Sequence, residues 1–359
     1  MVPYHRCDAG LPGIVLYCPI PPTQHFLRAH NKINPCSVMK SSPKLLFCLA
    51  LAFSSIGSSY VAAEEEIAEE EELRRITAVF VNEHPREEIE LFWVNPELEE
   101  DDPERLIHEA TLAPRGGSHH SETFESHEFA YEYNGEMHYI VADRPNANDE
   151  QLIVLNGADE GIRVRCEISL GSGKNSDYLD ILVQPYWAPR GAVRFLELVR
   201  MGYYDGVVFN RVVPKFLIQF GIAKDYDTRT EVRDVAIWDD FDAEIAFEPG
   251  FVSYAGTGPD SRTAEIFIVM PGTSEEQLAR FGKNDWETPF GFVEGDLQNL
   301  SKIYSGYGDM PPWGKGPDSQ LIYAEDGYTT YLPKNFPLLD SIQTCYVVDE
   351  VGLYSAEEL

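Results

Sequence analysis

An arginine and a glutamine stand in a largely apolar stretch, "FNRVVPKFLIQFG", which covers residues 209–221. The pattern is typical of two strands joined by a tight turn, and alternation along them gives Arg211 apolar neighbours and brings Gln219 close to it. A strand arginine can face solvent, pair with an acid or point into a cleft. Because apolar walls with a few fixed polar groups are typical of a ligand groove, we expect Arg211 to lie in such a groove with Gln219 orienting it.

The elements that must position this hairpin are mostly strands. From about residue 161 the chain alternates short apolar runs with turns. The clearest helix covers residues 189–202, where apolar side chains recur at helical spacing and Gly202 ends the pattern. A second helix is predicted over residues 295–304. Many strands with two helices predict a closed β-barrel plugged by helices.

Several blocks in this part of the chain resemble the cyclophilins. Besides "FNRVVPKFLIQFG" they are "GFVSYAGTGPDSRTAEIFIVM", "PFGFV", "GKGPDSQ" and "YLPKNFPLLDSI", and together they cover about residues 161–352. The resemblance implies a mainly β fold, a cyclophilin-like closed eight-stranded β-barrel with two helices. It further implies a peptidyl-prolyl cis-trans isomerase that acts on proline-containing polypeptides and needs neither a cofactor nor a metal.

The resemblance also implies roles for individual residues. Arg211 is implied to be the essential arginine, and Gln219 is implied to orient it. The other implied peptide-binding residues are the pocket walls Phe216, Leu217 and Phe267, the groove floor Ala255 and the backbone of Gly256.

The chemistry of prolyl isomerisation suits an arginine in an apolar groove. Amide resonance sets a barrier of about 18–20 kcal/mol to rotation of the peptide bond. Twisting an X–Pro bond leaves a lone pair on the prolyl nitrogen, and a guanidinium can donate to that lone pair only in the twisted state. Arg211 would therefore stabilise the transition state over either ground state without covalent chemistry.

Two carboxylates depart from the cyclophilin pattern. Glu265 stands where the family has glutamine and Glu287 where it has histidine, and both are expected at the substrate groove. Glu265 is expected to pair with Arg211, where it competes with substrate, or with Arg262. These changes leave an alternative function open, a catalytically weak adaptor that binds proline-containing peptides through two domains.

The preceding residues 76–156 contain short β-runs separated by proline, glycine and acidic turns, which predicts a small β-sandwich. They carry a sparse motif, made of Asn82, Trp93, Asn95, Leu112, Pro114, Gly116, Thr123, Phe124 and His127. This motif resembles the β-domain of the von Hippel–Lindau tumour suppressor, in which a groove recognises hydroxyproline within a peptide.

The resemblance implies that Trp93 packs on a pyrrolidine ring and that Thr123 and His127 bond its hydroxyl. Phe129 stands where that family has a second tryptophan. Simpler interpretations stay open, because a tryptophan in an alternating strand is often a core residue and a lone histidine is often a surface residue.

The chain is strongly acidic, with a formal net charge of −32, and 43% of its residues are hydrophobic. The hydrophobic content suffices for a packed core, so wholesale disorder is not expected. The charge argues against nucleic acid or an anionic membrane surface as a partner, since both need basic patches. A structural surface protein whose acidic tail binds cations is a further possibility.

The N-terminal region carries a targeting pattern. Residues 39–63 have a short positive end, an apolar centre and small residues before Glu64, which predicts a signal peptide cleaved near Ala63. Residues 1–38 are then interpreted as a mis-assigned upstream extension, and residues 64–75 as an acidic tail. We expect a lumenal or extracellular protein of the secretory pathway without stable membrane insertion. An uncleaved anchor is the alternative, although the apolar run is short for a membrane span.

Cys166 and Cys345 are the cysteines that follow the predicted signal peptide. In an oxidising compartment they can form a disulfide, and two separate buried thiols are the alternative. The adjacent His119 and His120 do not predict a metal site, because no third ligand stands at a defined spacing from them.

Overall fold

The computed structural model describes residues 74–133, 135–145, 148–155, 161–171, 173–240 and 245–350, together with the backbone of two strands near the N terminus. Those strands, β1 (Tyr4–Asp8) and β2 (Val15–Pro19), pair antiparallel in a unit of their own, Met1–Ala68. The predicted signal peptide, and the acidic tail as far as residue 73, lie outside the described residues. Within the described part of the chain, no helix has the length and apolar character needed to cross a membrane.

The first domain is built from strands that form two sheets. The strands are β3 (Arg75–Asn82), β4 (Ile89–Val94), β5 (Leu106–Leu112), β6 (Gly117–Phe124), β7 (Glu128–Tyr133), β8 (Glu136–Val141) and β9 (Glu150–Leu155). One sheet has the order β6-β3-β9 and the other the order β5-β4-β7-β8. Both sheets contribute to one buried cluster, whose members include Ile76, Phe80, Leu91, Leu112, Phe129 and Leu155.

In the described residues of the second domain, eight strands form one sheet. They are β10 (Ile162–Leu170), β11 (Asn175–Val183), β12 (Arg211–Val213), β13 (Leu217–Phe220), β14 (Phe251–Tyr254), β15 (Ile266–Val269), β16 (Gly291–Val293) and β17 (Ser341–Val347). Their order is β12-β13-β15-β14-β16-β11-β10-β17. The prediction of a mainly β fold is therefore confirmed.

The prediction of a closed barrel is wrong, because the ladder is open between β12 and β17. Where the two edges approach each other, they are joined by an isolated bridge between Val208 and Ser341. Its neighbours form two backbone hydrogen bonds, from the Phe209 N–H to the Asp340 carbonyl (3.0 Å) and from the Ile342 N–H to the Val207 carbonyl (2.8 Å). The bridge residue Val208 precedes β12, which begins at Arg211.

Five α-helices are described in the second domain: α1 (Pro189–Arg200), α2 (Tyr226–Arg233), α3 (Glu275–Leu278), α4 (Ser319–Tyr323) and α5 (Leu332–Asn335). Helix α1 is the predicted one, and it begins with a proline, which needs no N–H partner in the first turn. The second predicted helix is instead a 3₁₀ helix over Leu297–Lys302. Helix α2 was not predicted, although Asp225 caps it by accepting a hydrogen bond from the Thr228 N–H (2.9 Å).

The two domains meet at α1. Val79 and Val81 of β3 belong to one buried cluster with Val193 of α1. At the end of the helix, Nη2 of Arg200 lies 2.7 Å from a carboxylate oxygen of Glu83, in the first domain, and 2.6 Å from one of Glu350. Burial raises the pKa of Glu83, with Arg200 acting in the opposite direction. An apolar patch and a shared arginine therefore hold the domains together.

Cys166 and Cys345 are joined by a disulfide with an S–S distance of 2.00 Å. They are directly opposite each other on the neighbouring strands β10 and β17. The alternative of two separate thiols is thus not what the structure contains.

Candidate functional site

Strands β12 and β13 form the hairpin predicted for residues 209–221, and their register places Arg211 directly opposite Gln219. The turn between them is closed by a hydrogen bond from the Phe216 N–H to the Val213 carbonyl (3.1 Å). Lys215 within the turn has a left-handed φ of 60°. Because directly opposite residues of an antiparallel pair share a face, the register brings the guanidinium and the amide together.

The Arg211 side chain is largely buried, with 16% of its surface exposed. Its Nη1 donates a hydrogen bond to Oε1 of Gln219 (3.3 Å), and its guanidinium carbon lies 5.5 Å from the centroid of the Phe216 ring. The amide and the ring thus hold the cation beside the apolar wall of the groove, where the sequence places it.

That wall is an aromatic cluster that includes the predicted Phe216, Leu217 and Phe267. Phe281 stacks on Phe216 and on Phe267, with ring centroids 5.4 and 5.3 Å apart. Leu217 and Phe267 are each only 4% exposed, and the rings of Phe281 and Phe247 stack on Phe267. The sequence analysis singled out neither of these two phenylalanines.

A second charged group, Asp309, lies against Arg211. Arg211 donates from Nε to Oδ1 of Asp309 (2.7 Å) and from Nη2 to Oδ2 (3.3 Å), a two-point ion pair. The Asp309 side chain is 21% exposed. Sequence reasoning missed it, because it stands 98 residues from Arg211 in a loop without periodic pattern.

Residues 169–317 match the family model described as cyclophilin type peptidyl-prolyl cis-trans isomerase. This part of the chain is a cyclophilin-type domain. The match starts after the first domain, so the likeness of residues 76–156 to the von Hippel–Lindau β-domain stays a prediction.

Curated relatives of the cyclophilin-type domain carry several names. The chain is 37% identical over 101 residues to peptidyl-prolyl cis-trans isomerase ppi1 of Schizosaccharomyces pombe, which covers 26% of this chain and 63% of that protein. It is 33% identical over 139 residues to the spliceosome-associated protein CWC27 homolog of Xenopus laevis, 37% of this chain and 28% of that protein. It is 34% identical over 119 residues to peptidyl-prolyl isomerase cwc27 of Rhizopus delemar, 32% and 21% of the two chains. The chain thus spans less than two thirds of the length of each of these three relatives.

Glu265 departs from the expectation for the cyclophilin-type groove, since it pairs with neither of the two arginines considered. Its carboxylate accepts hydrogen bonds from Nε2 of Gln219 (3.0 Å) and from the Tyr323 hydroxyl (3.1 Å). Arg262 pairs instead with Asp240, at 2.8 Å. Burial raises the pKa of Glu265, and the two hydrogen bonds act in the opposite direction.

A chain of hydrogen bonds therefore leads from Tyr323 through Glu265 and Gln219 to Arg211. A carboxylate only accepts hydrogen bonds, so the amide group of Gln219 donates to Glu265 and its carbonyl oxygen faces Arg211. Tyr323 lies in α4, just beyond the end of the family match, and no sequence signal singled it out.

Ala255 and Gly256 directly follow strand β14, and their roles as groove floor and as backbone contact to the peptide stay predictions. Ala255 packs against the aromatic cluster, and its N–H donates to the Glu265 carbonyl (2.9 Å). A Cβ at position 256 would come within 2.5 Å of Cδ1 of Trp286, so Trp286 packs directly on the Gly256 backbone. The aromatic side chain that joins the pocket walls is Phe281.

Glu287 is half-buried in the cyclophilin-type domain, beside the loop that carries Phe281. Its carboxylate accepts a hydrogen bond from the Gly282 N–H (3.1 Å), and burial raises its pKa. The contact ties Glu287 to the backbone of this loop, so its direct involvement with a peptide remains a prediction.

In the first domain, the structure brings together the three residues predicted to read hydroxyproline. Thr123 Oγ1 lies 2.8 Å from Nδ1 of His127, and Nε1 of Trp93 donates to the same nitrogen (3.3 Å). Since indole Nε1–H is only a donor, Nδ1 is an acceptor and the imidazole is neutral. Burial lowers the pKa of His127, which favours the same form.

Some residues of this predicted hydroxyproline site also pack into the buried core of the first domain. Trp93 packs against the buried cluster of the first domain, while Phe124 meets the His127 ring edge-on with centroids 5.4 Å apart. Phe129, which stands where the related family has a second tryptophan, is fully buried against Phe80. A second aromatic wall at that position is therefore unavailable to a ligand.

Among the described residues, no three His, Cys, Asp or Glu side chains lie together in a way that could hold a metal ion. His119 is instead 3.4 Å from a carboxylate oxygen of Glu109.

Proposed function

We propose that the cyclophilin-type domain is a peptidyl-prolyl cis-trans isomerase that acts on proline-containing polypeptides. The observation that carries the proposal is the guanidinium of Arg211, which lies beside Gln219, Phe216 and the aromatic cluster. Its hydrogen bonds to Gln219 and Asp309 use three of the five N–H groups of a guanidinium, so donors remain for a substrate.

The mechanism uses one of these remaining donors. As the X–Pro bond twists, amide resonance is lost and the prolyl nitrogen gains a lone pair. An N–H of Arg211 donates to that lone pair, and this interaction is absent in the planar cis and trans states. The apolar surroundings strengthen the hydrogen bond and favour the less polar, twisted amide. Gln219 acts as a positioning residue, because it holds the guanidinium in register with the peptide.

Exchange spectroscopy by NMR on a proline-containing peptide tests this proposal with the full chain. We expect accelerated cis–trans exchange that falls about 100-fold in Arg211→Ala, the scale for one lost donor in a preorganised site. Arg86→Ala, a change at an exposed arginine of the first domain, is the matched control. Equal exchange rates with the wild type and Arg211→Ala would sink the assignment.

A binding-only adaptor is the second candidate, and the coverage of Leu217 and Phe267 together with the Asp309 pair favours it. The name of the Xenopus relative, a spliceosome-associated protein, is consistent with a cyclophilin-type domain that works by association. An adaptor predicts that proline-containing peptides shift the NMR signals of the protein while the exchange rate of the peptide stays at its uncatalysed value.

We further propose that the first domain is a small β-sandwich that recognises a prolyl or hydroxyprolyl segment through Trp93, Thr123 and His127. The support is the convergence of these side chains on one nitrogen, Nδ1 of His127. Calorimetric titration with a hydroxyproline peptide and its proline counterpart tests the proposal. Tighter binding of the hydroxylated peptide, lost in His127→Ala but kept in His120→Ala, is expected. Equal and negligible affinity for both peptides would end it.

For location we propose the secretory pathway, with a signal peptide that ends near Ala63. The disulfide between Cys166 and Cys345 supports an oxidising compartment. Mass spectrometry of the protein isolated from its natural source should find Glu64 as the first residue. An N terminus upstream of residue 39 would contradict the proposal.

A further inference from the structure

Asp309 is held in place by a compact loop. Its Oδ1 accepts a hydrogen bond from the Met310 N–H (2.8 Å), and its carbonyl accepts one from the Gly316 N–H (2.7 Å). A Cβ at Gly314 would come within 2.2 Å of the Asp309 carbonyl oxygen, so the loop closes tightly over itself. These contacts fix both the backbone and the carboxylate of Asp309 beside Arg211.

This ion pair has a direct consequence for the proposed catalysis. A two-point carboxylate contact takes the Nε–H and an Nη2–H of Arg211 and compensates its charge. A peptide that brings only neutral carbonyl groups competes poorly for a guanidinium already paired with an anion. A peptide with its own cation can pair with Asp309 while Arg211 donates to the twisted amide, so the site exchanges one ion pair for another.

We propose that Asp309 is a specificity-determining residue, which makes the site favour prolyl bonds flanked by lysine or arginine and disfavour those flanked by glutamate. The inference rests on the proposed isomerase function. The Asp309 side chain is 21% exposed, which leaves it accessible to a cation of the peptide. The net charge of −32 of the chain favours encounter with cationic peptides in general, so the test must separate that background from the local effect.

The test uses three peptides that differ only in the residue next to proline: lysine, glutamine or glutamate. NMR exchange spectroscopy is run with the wild type, Asp309→Asn, Arg211→Ala and, as a control for the change in net charge, Asp326→Asn at an exposed position. With the wild type we expect the lysine peptide to be turned over about 10-fold faster than the glutamate peptide, a modest ion-pair effect. The preference should weaken as salt is added.

In Asp309→Asn we expect the preference to fall below about two-fold and turnover of the glutamine peptide to rise several-fold, because Arg211 is released from its anion. Asp326→Asn should keep the wild-type ranking. The same ranking in Asp309→Asn and wild type would overturn the proposal. Slower turnover of the glutamine peptide in Asp309→Asn would also overturn it, since Asp309 would then support Arg211 and not compete with substrate.

The proposed function and this inference can fail separately. If neither wild type nor Asp309→Asn accelerates exchange of any peptide, the isomerase proposal fails, and the preference is then read from peptide affinities in NMR titrations. A lysine-over-glutamate affinity that disappears in Asp309→Asn still supports the inference, and an affinity ranking that does not depend on Asp309 rejects it. Should Asp309→Asn fail to fold, Asp309→Ser is measured in its place, and a peptide ranking in that variant that equals the wild-type ranking would reject the inference.

Discussion

Two arginine–aspartate pairs in the cyclophilin-type domain have similar contacts and opposite surroundings. Arg262 and Asp240 lie 2.8 Å apart, with side chains 0% and 2% exposed. Arg211 and Asp309 lie 2.7 Å apart, with side chains 16% and 21% exposed. In the buried pair, Asp240 also accepts hydrogen bonds from the backbone N–H groups of Arg190 and Gly191 at the start of α1. The hydrogen-bond partners of its carboxylate are therefore groups of the protein itself.

The difference separates a structural ion pair from a functional one. Charges that are fully buried must keep every partner, because an uncompensated charge in the interior is very unfavourable. Charges at the edge of a groove can exchange protein partners for ligand groups, because water and ligand reach them. Distance alone would not distinguish the two pairs; burial and the remaining partners do.

The largest effect is expected from the buried pair. Asp240→Ala leaves Arg262 with less compensation and removes the acceptor for two N–H groups of α1, so the free energy of unfolding should fall by about 3–5 kcal/mol. Chemical denaturation measures this value, with Asp326→Ala as a control at an exposed position. A loss below about 1 kcal/mol would mean that the two pairs do not differ in kind.

The groove pair should contribute much less to stability. Asp309→Ala is expected to lower the free energy of unfolding by less than about 1 kcal/mol, because solvent can replace the carboxylate at partly exposed groups. The same denaturation curves give this value beside that of Asp240→Ala. A loss as large as that of the buried pair would show that Asp309 is a structural residue.

Glu265 extends the comparison to a carboxylate whose hydrogen bonds come from neutral groups, Gln219 and Tyr323. Burial raises its pKa, and Arg233 acts only as a weaker, opposing charge. A raised pKa in the folded state means that the folded protein holds the proton of Glu265 more tightly than the unfolded chain does. The contribution of protonated Glu265 to the free energy of unfolding is therefore complete below the pKa of an unfolded glutamate, and it disappears as pH rises through the folded pKa. Glu265→Gln should therefore be equally stable in acid and more stable than the wild type at neutral pH.

Chemical denaturation of the wild type and of Glu265→Gln, from acid to neutral pH, measures the difference between their free energies of unfolding. The other charged or titratable neighbours of Glu265, namely Arg233, Tyr203, Tyr323 and Tyr328, are kept in both. A difference in stability that does not change with pH would contradict the assignment of the effect to ionisation of Glu265.

The smallest effect is expected at His127, a neutral acceptor in the first domain. Burial lowers its pKa, and protonation of Nδ1 would remove the acceptor of Thr123 and Trp93. The stability contribution is therefore present above the unfolded histidine pKa and is lost as pH falls through the lower, folded pKa. Unfolding curves between about pH 8 and 5 should show this loss in the wild type and not in His127→Gln. Identical pH profiles for the two proteins would refute the role.

Short-range pattern predicted the hairpin and the longest helix correctly. Alternation over residues 209–221 put Arg211 and Gln219 together, and helical spacing found α1, because both patterns depend on neighbours within a few residues. Helix α2 was not predicted, because it buries only Arg229 and Val232 and so lacks apolar residues that recur at helical spacing. The capping residue Asp225 was the available signal.

The partners of Glu265 were predicted wrongly for a different reason. The sequence offered two cations, Arg211 and Arg262. In the fold, Glu265 instead accepts a hydrogen bond from Gln219, and Arg262 pairs with Asp240. The strand register places Gln219 opposite Phe267, two residues from Glu265. The prediction of a closed barrel was wrong for the same reason, because closure depends on how β12 and β17, far apart along the chain, meet at the two edges of the sheet. Such outcomes depend on the whole arrangement of strands, which a local pattern does not contain.

By itself, the sequence determined that an arginine and an amide share one face of an apolar hairpin, since side-chain alternation is a property of the strand. The tertiary structure alone decided that Asp309 pairs with Arg211, that Phe281 covers the pocket and that Tyr323 ends the hydrogen-bond chain. These residues come from segments far apart along the chain, and only the packing of the complete domain brings them within bonding distance.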